Sequence, residues 1–166
     1  MARAFLLWPD PRLKTAAAPV AAVDEAVRAL WAEMLEAMYA MPGIGLAAPQ
    51  IGEMLRLAVI DCSPGRDAPI RMANPELVSA SVETARGSEA SPNLPGIGAE
   101  VERPVAATLR WLDDAGQTVE RELRGLWARS ALHQLDHLDG RLYIDRLSPL
   151  RRRMVVEKYR KARRRR

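Results

Sequence analysis

The sequence predicts one domain of the α+β class, because helical patterns at both ends of the chain flank a strand-rich middle. A chain of 166 residues is long enough for one hydrophobic core and short for two. Apolar residues make up 48% of the chain and charged residues 28%, which is typical of a folded globular protein. No apolar run approaches the ~20 residues of a membrane-spanning helix, so we expect no membrane partner.

The first predicted element is an amphipathic helix. From Val23 to Met38, apolar residues recur at steps of three and four, which describes one face of a helix of about five turns. Pro42 and Gly43 end the pattern, because neither residue is favourable inside a helix.

The middle of the chain predicts three strands. Residues 55–61 and 105–112 have strand character, with apolar and β-branched side chains. The sequence Asp-Asp-Ala-Gly at residues 113–116 is typical of a hairpin turn, and it leads into a third predicted strand at residues 117–123.

Two helices are predicted after these strands. The first covers residues 125–138, and the second begins with Ser148 as its N-cap and Pro149 in its first turn. We expect one face of the second helix to pack on the body of the domain, because apolar residues recur there at helical steps: Leu150, Met154, Val155 and Tyr159.

The C-terminal segment is strongly basic. Ten of the 25 Lys and Arg residues and one of the 21 acidic residues lie in residues 151–166, so this segment carries +9 and residues 1–150 carry −5. We assign residues 1–150 as the body and residues 151–166 as a helix and tail of the same domain, with a disordered end from Arg163 to Arg166. Such a charge run either binds RNA or a ribosomal surface or only keeps the protein soluble.

Two features favour a cytoplasmic protein. The apolar stretch before Pro9 is too short for the core of a secretory signal peptide. Cys62 is the only cysteine, which excludes an internal disulfide and a zinc site built from several cysteines.

His133 and His137 give the clearest chemical signal. They are the only histidines, and their spacing of four residues on a predicted helix places both imidazoles on one face, as metal ligands require. Gln134 stands where the zinc-hydrolase pattern His-Glu-x-x-His has its glutamate. Taken alone, the pair could equally be two hydrogen-bonded polar residues on a half-buried helix.

Two further stretches are candidates for a site. Residues 43–52 are glycine-rich and apolar and contain one amide side chain, Gln50; taken alone they favour a tight turn between a helix and a strand. Residues 88–98 are rich in proline, glycine and small polar residues, and taken alone they predict a loop.

Together, the three stretches resemble the peptide deformylase family of metal hydrolases, which remove the formyl group from the N-terminal methionine of new bacterial and organellar proteins. The family's first motif, Gly-x-Gly-x-Ala-Ala-x-Gln, is matched by residues 43–50, and its third, His-Glu-x-x-His, by residues 133–137 except at Gln134. Segments 74–77 and 145–150 agree as well. The resemblance implies antiparallel sheets around a central helix that carries His133 and His137, a C-terminal helix, and Fe, Ni or Zn as the metal.

The resemblance also implies a role for each motif position. His133 and His137 are metal ligands, Gln134 occupies the position of the proton-transferring glutamate, and the Gln50 amide stabilises the oxyanion. Gly98 falls where the family has an arginine that contacts the substrate. The positions implied in substrate binding are Gly43, Ile44, Gly45 and Gly98.

The second family motif, Glu-Gly-Cys-Leu-Ser, aligns with residues 89–93 and is largely unmatched. Its cysteine is the third metal ligand, and Ser91 stands there with a hydroxyl that stays protonated near neutral pH. The residue after the cysteine gives its backbone N–H to the oxyanion, and Pro92 has no N–H to give.

We therefore predict a deformylase-like protein whose metal-dependent hydrolysis is weak or lost, with no metal or a weakly bound divalent metal. Two alternatives stay open. One is an active metal hydrolase in which water, Asp136 or another carboxylate replaces Ser91 as a ligand, and the other is a ribosome-associated binding module that uses the basic segment. The expected partners are the ribosome, RNA or the N-terminal peptide of a nascent chain.

Overall fold

The computed structural model describes residues 3–165, which form three helices and seven strands. The helices are α1 (Glu25–Ala40), α2 (Leu126–Leu138) and α3 (Pro149–Arg164). The strands are β1 (Gly45–Ala47), β2 (Leu57–Ile60), β3 (Ile70–Ala80), β4 (Thr84–Glu89), β5 (Ala99–Pro104), β6 (Ala106–Leu112) and β7 (Thr118–Arg124). Short 3-10 turns lie at Pro11–Lys14, Ala48–Ile51 and Tyr143–Arg146.

The second helix, α2, is central to this arrangement. Five strands form an antiparallel sheet in the order β1-β2-β3-β6-β7, and β4 pairs with β5 in a separate hairpin. Ten of the 13 residues of α2 are buried, and its apolar side packs on Leu109, Trp111 and Leu123 of the large sheet. The α+β class and the central helix that carries both histidines are thus confirmed.

The first helix begins at Glu25, two residues after the predicted start, and ends at Ala40, before Pro42 and Gly43 as predicted. The Asp24 carboxylate caps its N-terminus by accepting a hydrogen bond of 2.9 Å from the backbone N–H of Val27. Its apolar face packs against Leu46 of β1 and Leu57 of β2. Beyond the helix end, the Gly43 N–H donates to the carbonyl of Met38 at 2.7 Å, which turns the chain into β1.

Three predicted strands are present as β2, β6 and β7, but the sequence did not indicate β3, β4 or β5, and the segment interpreted as a tight turn at residues 43–52 contains strand β1. In β3 the burial pattern does not alternate, and the strand is irregular between Ala73 and Glu76, where Asn74 has φ 50°. A period-of-two pattern is therefore missing from the sequence. The loop predicted at residues 88–98 is wrong for Ser88 and Glu89, which are the last residues of β4.

The basic helix α3 is fastened to the N-terminal segment. Ser148 caps it, and buried Tyr159 donates its hydroxyl to the carbonyl of Trp8 at 3.1 Å while packing edge-to-face on the Trp8 ring, with centroids 5.9 Å apart. Arg163 donates to the same carbonyl at 3.3 Å. The helix continues to Arg164, so the predicted disordered end is wrong for Arg163 and Arg164; Arg166 lies outside the described residues.

The packing face of α3 also differs from the prediction. Of the four predicted contacts, Tyr159 is buried and Val155 packs against the core, whereas Leu150 and Met154 are 62% and 61% exposed and Val156 is buried instead. The helical period was correct, but the buried stripe is shifted around the helix. Within residues 3–165, no helix is both long and apolar enough to cross a membrane.

Replacing Tyr159 with alanine should lower the free energy of unfolding by about 3–5 kcal/mol, because it removes a large buried ring and a buried hydrogen bond. Leu150→Ala is the matched control on the same helix, and its effect should stay within about 0.5 kcal/mol. Urea denaturation followed by circular dichroism measures both. Equal stability of Tyr159→Ala and the unmodified protein would contradict the anchoring of α3 by this residue.

Candidate functional site

A cavity of about 370 Å³ opens between α2, the segment around β1 and the end of β4. Eight of the ten predicted site residues line it: Gly43, Ile44, Gly45, Gln50, Ser91, Pro92, His133 and Gln134. Of the other two, His137 is in contact with His133, and Gly98 lies beside the Glu89 carbonyl outside the cavity wall. Segments far apart in sequence therefore meet at one place, and the sequence motifs mark most of it.

The two histidines face each other. Their Nε2 atoms are 3.2 Å apart, and the Nδ1 atom of His133 is 2.8 Å from the Glu89 carboxylate. Burial, and then the neighbouring His133, lower the pKa of His137 well below its usual value, so this imidazole is neutral.

Ser91 belongs to a hydrogen-bond network of uncharged side chains. Its hydroxyl donates to the Asn93 side-chain oxygen at 2.9 Å, and the Gln50 amide nitrogen donates to the same oxygen at 2.8 Å and to Ser91 Oγ at 3.3 Å. The Gln50 side-chain oxygen accepts from the backbone N–H of Ala47 at 2.9 Å. Both ends of the Gln50 amide are therefore engaged within the protein.

Gln134 is the least satisfied polar side chain in the cavity. It is 5% exposed, and its Oε1 atom has no hydrogen-bond partner among residues 3–165. The backbone of Gly45 lies close against it, since a Cβ atom at position 45 would be 2.5 Å from Gln134 Nε2 and from Ser130 Oγ. A side chain at position 45 would therefore displace the Gln134 amide and the Ser130 hydroxyl, and the Gln134 Oε1 is a buried acceptor without a partner among residues 3–165.

A buried group of charges supports one wall. Arg103 of β5 donates to both Glu89 oxygens, at 2.6 and 2.8 Å, and to Asp136 of α2 at 3.0 Å; Arg129 donates to Glu89 at 2.7 Å. Burial acts to raise the pKa of Glu89, but the hydrogen bonds from Arg103 and His133 outweigh it and lower this pKa to about 2. Sequence reasoning missed Arg103 and Arg129, because neither lies in a motif.

The donor set does not fit a catalytic metal site, which needs three protein ligands. The two Nε2 atoms are close enough to share one ion, but a metal-bound imidazole almost always donates its other N–H to an acceptor, and His137 Nδ1 has no partner among residues 3–165. Ser91 offers a protonated hydroxyl that is already hydrogen-bonded. In the part of the chain that is described, no three His, Cys, Asp or Glu side chains are grouped to hold a metal.

Cys62 does not replace the missing ligand. Burial raises the pKa of its thiol to about 11, although a hydrogen bond with Ser130 acts against this shift. Its side chain is half-buried and is not part of the cavity wall. The thiolate that a metal requires is therefore disfavoured at this position.

Comparison with known proteins gives consistent matches. A family model described as polypeptide deformylase matches residues 2–153. Peptide deformylase of Rhizorhabdus wittichii is 48% identical over 98% of this chain and 96% of its own, and peptide deformylase 2 of Xanthomonas campestris is 46% identical over 96% and 95%.

Solved structures give the same result. A crystal structure of a peptide deformylase from Legionella pneumophila superposes with a TM-score of 0.91 at 39% identity, covering 99% of this chain and 96% of the other. The Ehrlichia chaffeensis peptide deformylase in complex with actinonin has a TM-score of 0.90 at 30% identity, with 97% of each chain covered.

Glu89 should give stability a defined pH dependence. Because its folded-state pKa is about 2 against an ordinary 4.5, its ionised form stabilises the fold above pH 4.5, and this contribution, on the order of 3 kcal/mol, is lost as the pH falls toward 2. Urea titrations of the unmodified protein and Glu89→Gln between pH 2 and 6 should therefore converge at low pH. Glu76→Gln, which changes an exposed ion pair, is the control. A constant difference between the first two proteins would contradict this assignment.

Proposed function

Because this chain belongs to the polypeptide deformylase family, we propose that it binds the N-terminal segment of a formylated peptide in the cavity and hydrolyses the formyl group weakly or not at all. The observation that carries the proposal is the state of Ser91. At the position of the family's cysteine ligand, the neutral hydroxyl of Ser91 donates a hydrogen bond to the Asn93 side-chain oxygen and accepts one from the Gln50 amide. Binding a metal there would require breaking this network and deprotonating a poorly acidic group.

The proton-transfer position supports the same proposal. An amide at Gln134 forms hydrogen bonds but does not accept the proton that a glutamate would take, and loss of a general acid–base typically costs roughly 10²–10⁴ in rate. Pro92 lacks the backbone N–H that would face the oxyanion, and one lost donor of this kind costs roughly 10²–10³. The penalties act on one reaction and do not simply multiply.

What remains in the cavity suits binding. Gln134 lines the cavity, and its Oε1 is an unpaired acceptor that is shut off from solvent, so a peptide N–H would reach it once the amide turned toward the cavity. The apolar side chains of Met41, Ile44 and Leu126 line the same cavity and offer contact area to a methionine side chain. These groups would bind and orient a ligand without catalysing a reaction.

One observation favours active metal-dependent hydrolysis as a second candidate. His133 and His137 retain the facing arrangement of two metal ligands, with Nε2 atoms 3.2 Å apart and Glu89 behind His133, as in carboxylate–histidine–metal triads. In that case a solvent molecule would have to serve as the third ligand. Metal content and turnover distinguish the two candidates.

The exposed charges of α3 support a further proposal, namely that the protein docks on the ribosome or another RNA surface. Several basic side chains of this helix point to solvent, including Arg153, Lys158 and Lys161. Their attraction to phosphates would be electrostatic and sensitive to salt. The cavity and the basic helix would then act on the same nascent chain.

Restoring the family residues should recover metal before activity. The unmodified protein, purified anaerobically with added Fe, Ni or Zn and dialysed against a chelator, should hold less than one metal ion per chain, and Ser91→Cys should raise this occupancy because it completes a His/His/Cys set. Turnover of a formyl-methionyl peptide should become strong only after Pro92→Leu and Gln134→Glu are added. Family-like turnover of Gln134→Glu alone would show that the metal site and oxyanion position already work, contrary to the proposal.

Docking through α3 should depend on its exposed charges. The triple variant Arg153→Gln, Lys158→Gln, Lys161→Gln should lose most co-sedimentation with ribosomes at low salt, while an equal number of charge changes on the body, at Arg71, Arg121 and Arg124, should not. Both proteins should keep the unfolding midpoint of the parent. Binding that is absent, or unchanged in the α3 variant, would leave the helix as a solubilising element.

A further inference from the structure

Residues 43–45 form one wall of the cavity, and a loop outside the sequence motifs contacts this wall on the side away from the cavity. The loop covers residues 61–69, between β2 and β3, and its Arg66 reaches across to the wall. Arg66 Nη2 donates to the carbonyl of Gly43, and Arg66 Nη1 donates to the carbonyl of Asp61 at 2.9 Å. From this bridge we infer that Arg66 is a positioning residue that sets the place of the wall and, through it, of Gln134.

The guanidinium of Arg66 is itself held in place. It lies over the ring of Tyr39, with 5.1 Å from its carbon to the ring centroid, and Tyr39 donates its hydroxyl to the Asp61 carboxylate at 2.6 Å. Tyr39 is near the end of α1, so the bridge connects three separate segments: a helix, a loop and the cavity wall. A lysine could occupy the same space, but its ammonium group lacks the planar arrangement of N–H donors with which a guanidinium bonds two carbonyl groups at once.

Asp61 organises the loop that presents Arg66. Its fully buried carboxylate accepts from the Ser63 hydroxyl at 2.6 Å, from the Ser63 N–H at 2.9 Å and from the Ala68 N–H at 3.3 Å. These bonds close the loop on itself at both ends. Arg66 is therefore presented by an ordered segment.

Backbone strain at Arg66 points in the same direction. Its φ of 57° lies in the left-handed region that favours glycine. Such a conformation persists in a non-glycine residue only when the surroundings determine it, and strained residues of this kind concentrate near functional sites. Here the hydrogen bonds from Arg66 to two carbonyl groups and its contact with the Tyr39 ring hold this backbone conformation in place.

The cavity wall connects Arg66 with Gln134 through a series of contacts. The carbonyl of Ile44 accepts from the Asp61 N–H at 2.9 Å and from the Ser130 hydroxyl at 3.2 Å, so the wall is fixed between the loop and α2. On the far side, Gly45 lies against Gln134, with no room for a Cβ atom. A wall released from Arg66 can move away from Gln134, which changes the environment of its amide.

The test compares Arg66→Gly, Arg66→Lys and the control Arg71→Gln, which removes the same charge from the neighbouring strand β3. Arg66→Gly removes the bridge and relieves the backbone strain, and Arg66→Lys keeps the side-chain stem and charge, so a change shared by both variants is assigned to the guanidinium. We expect amide hydrogen exchange in β1 to accelerate about tenfold in Arg66→Gly, with a smaller increase in Arg66→Lys. The side-chain amide NMR signals of Gln134 should shift in both variants, and Arg71→Gln should match the parent.

Unchanged β1 exchange and Gln134 signals in Arg66→Lys and Arg66→Gly would overturn the inference, and so would equal changes in Arg71→Gln. If Arg66→Gly does not fold, Arg66→Lys alone decides the question. The importance of the wall for a ligand rests on the proposed function, so affinity for a formyl-methionyl peptide is measured separately, with about a tenfold loss expected in Arg66→Gly. Absence of peptide binding in every protein, including the parent, would reject the proposed function while the NMR result still decides the role of Arg66.

Discussion

The buried ion pair between Arg103 and Glu89 determines how the β4–β5 hairpin sits on α2. Both side chains are 4% exposed, and the pair extends to α2 through Asp136, which bonds Arg103, and His133, which bonds Glu89. Removing one member would leave unpaired charges in the interior, a change that typically costs about 3–5 kcal/mol. Glu89 lines the cavity, so the ion pair fixes the part of the cavity wall that the end of β4 forms.

This scaffold places a histidine pair beside an uncharged hydrogen-bond network. Glu89 orients His133, and the two imidazoles face each other. Ser91 is part of an uncharged network with Gln50 and Asn93, in which each donor finds an acceptor inside the protein. This mutual pairing supports the proposal that the cavity holds a neutral peptide group rather than a cation.

The sequence predicted the parts that depend on local signals. The cap at Ser148 and the apolar periodicity of α1 and α2 are short-range features, and the helices lie within two residues of where these features place them. Strand β3 was not indicated, because its outer half is exposed on both faces and its register shifts near Asn74. The stretch from residue 84 to residue 104 becomes a hairpin through cross-strand pairing that local composition does not show.

The same difference between local and long-range signals decides which residues of the candidate site could be predicted. Motif residues such as His133, Gln134 and Gln50 were identifiable because their spacing or resemblance marks them. Arg103 and Arg66 were not, since each acts on a partner 14 or more residues away in sequence and becomes meaningful only when the fold brings them together. The exposed stripe of α3 was misjudged for a related reason: periodicity fixes a helix but not the direction from which the body approaches it.

Binding of a formylated peptide without its hydrolysis is tested most directly by titrating the unmodified protein with a formyl-methionyl peptide in a calorimeter. The peptide is then recovered from the calorimeter cell and analysed by mass spectrometry. Iron is added anaerobically to one arm, and the other arm is left without added metal. We expect saturable binding in both arms and peptide recovered with its formyl group intact. Multiple equivalents of formate released per chain in the iron arm would contradict binding without hydrolysis.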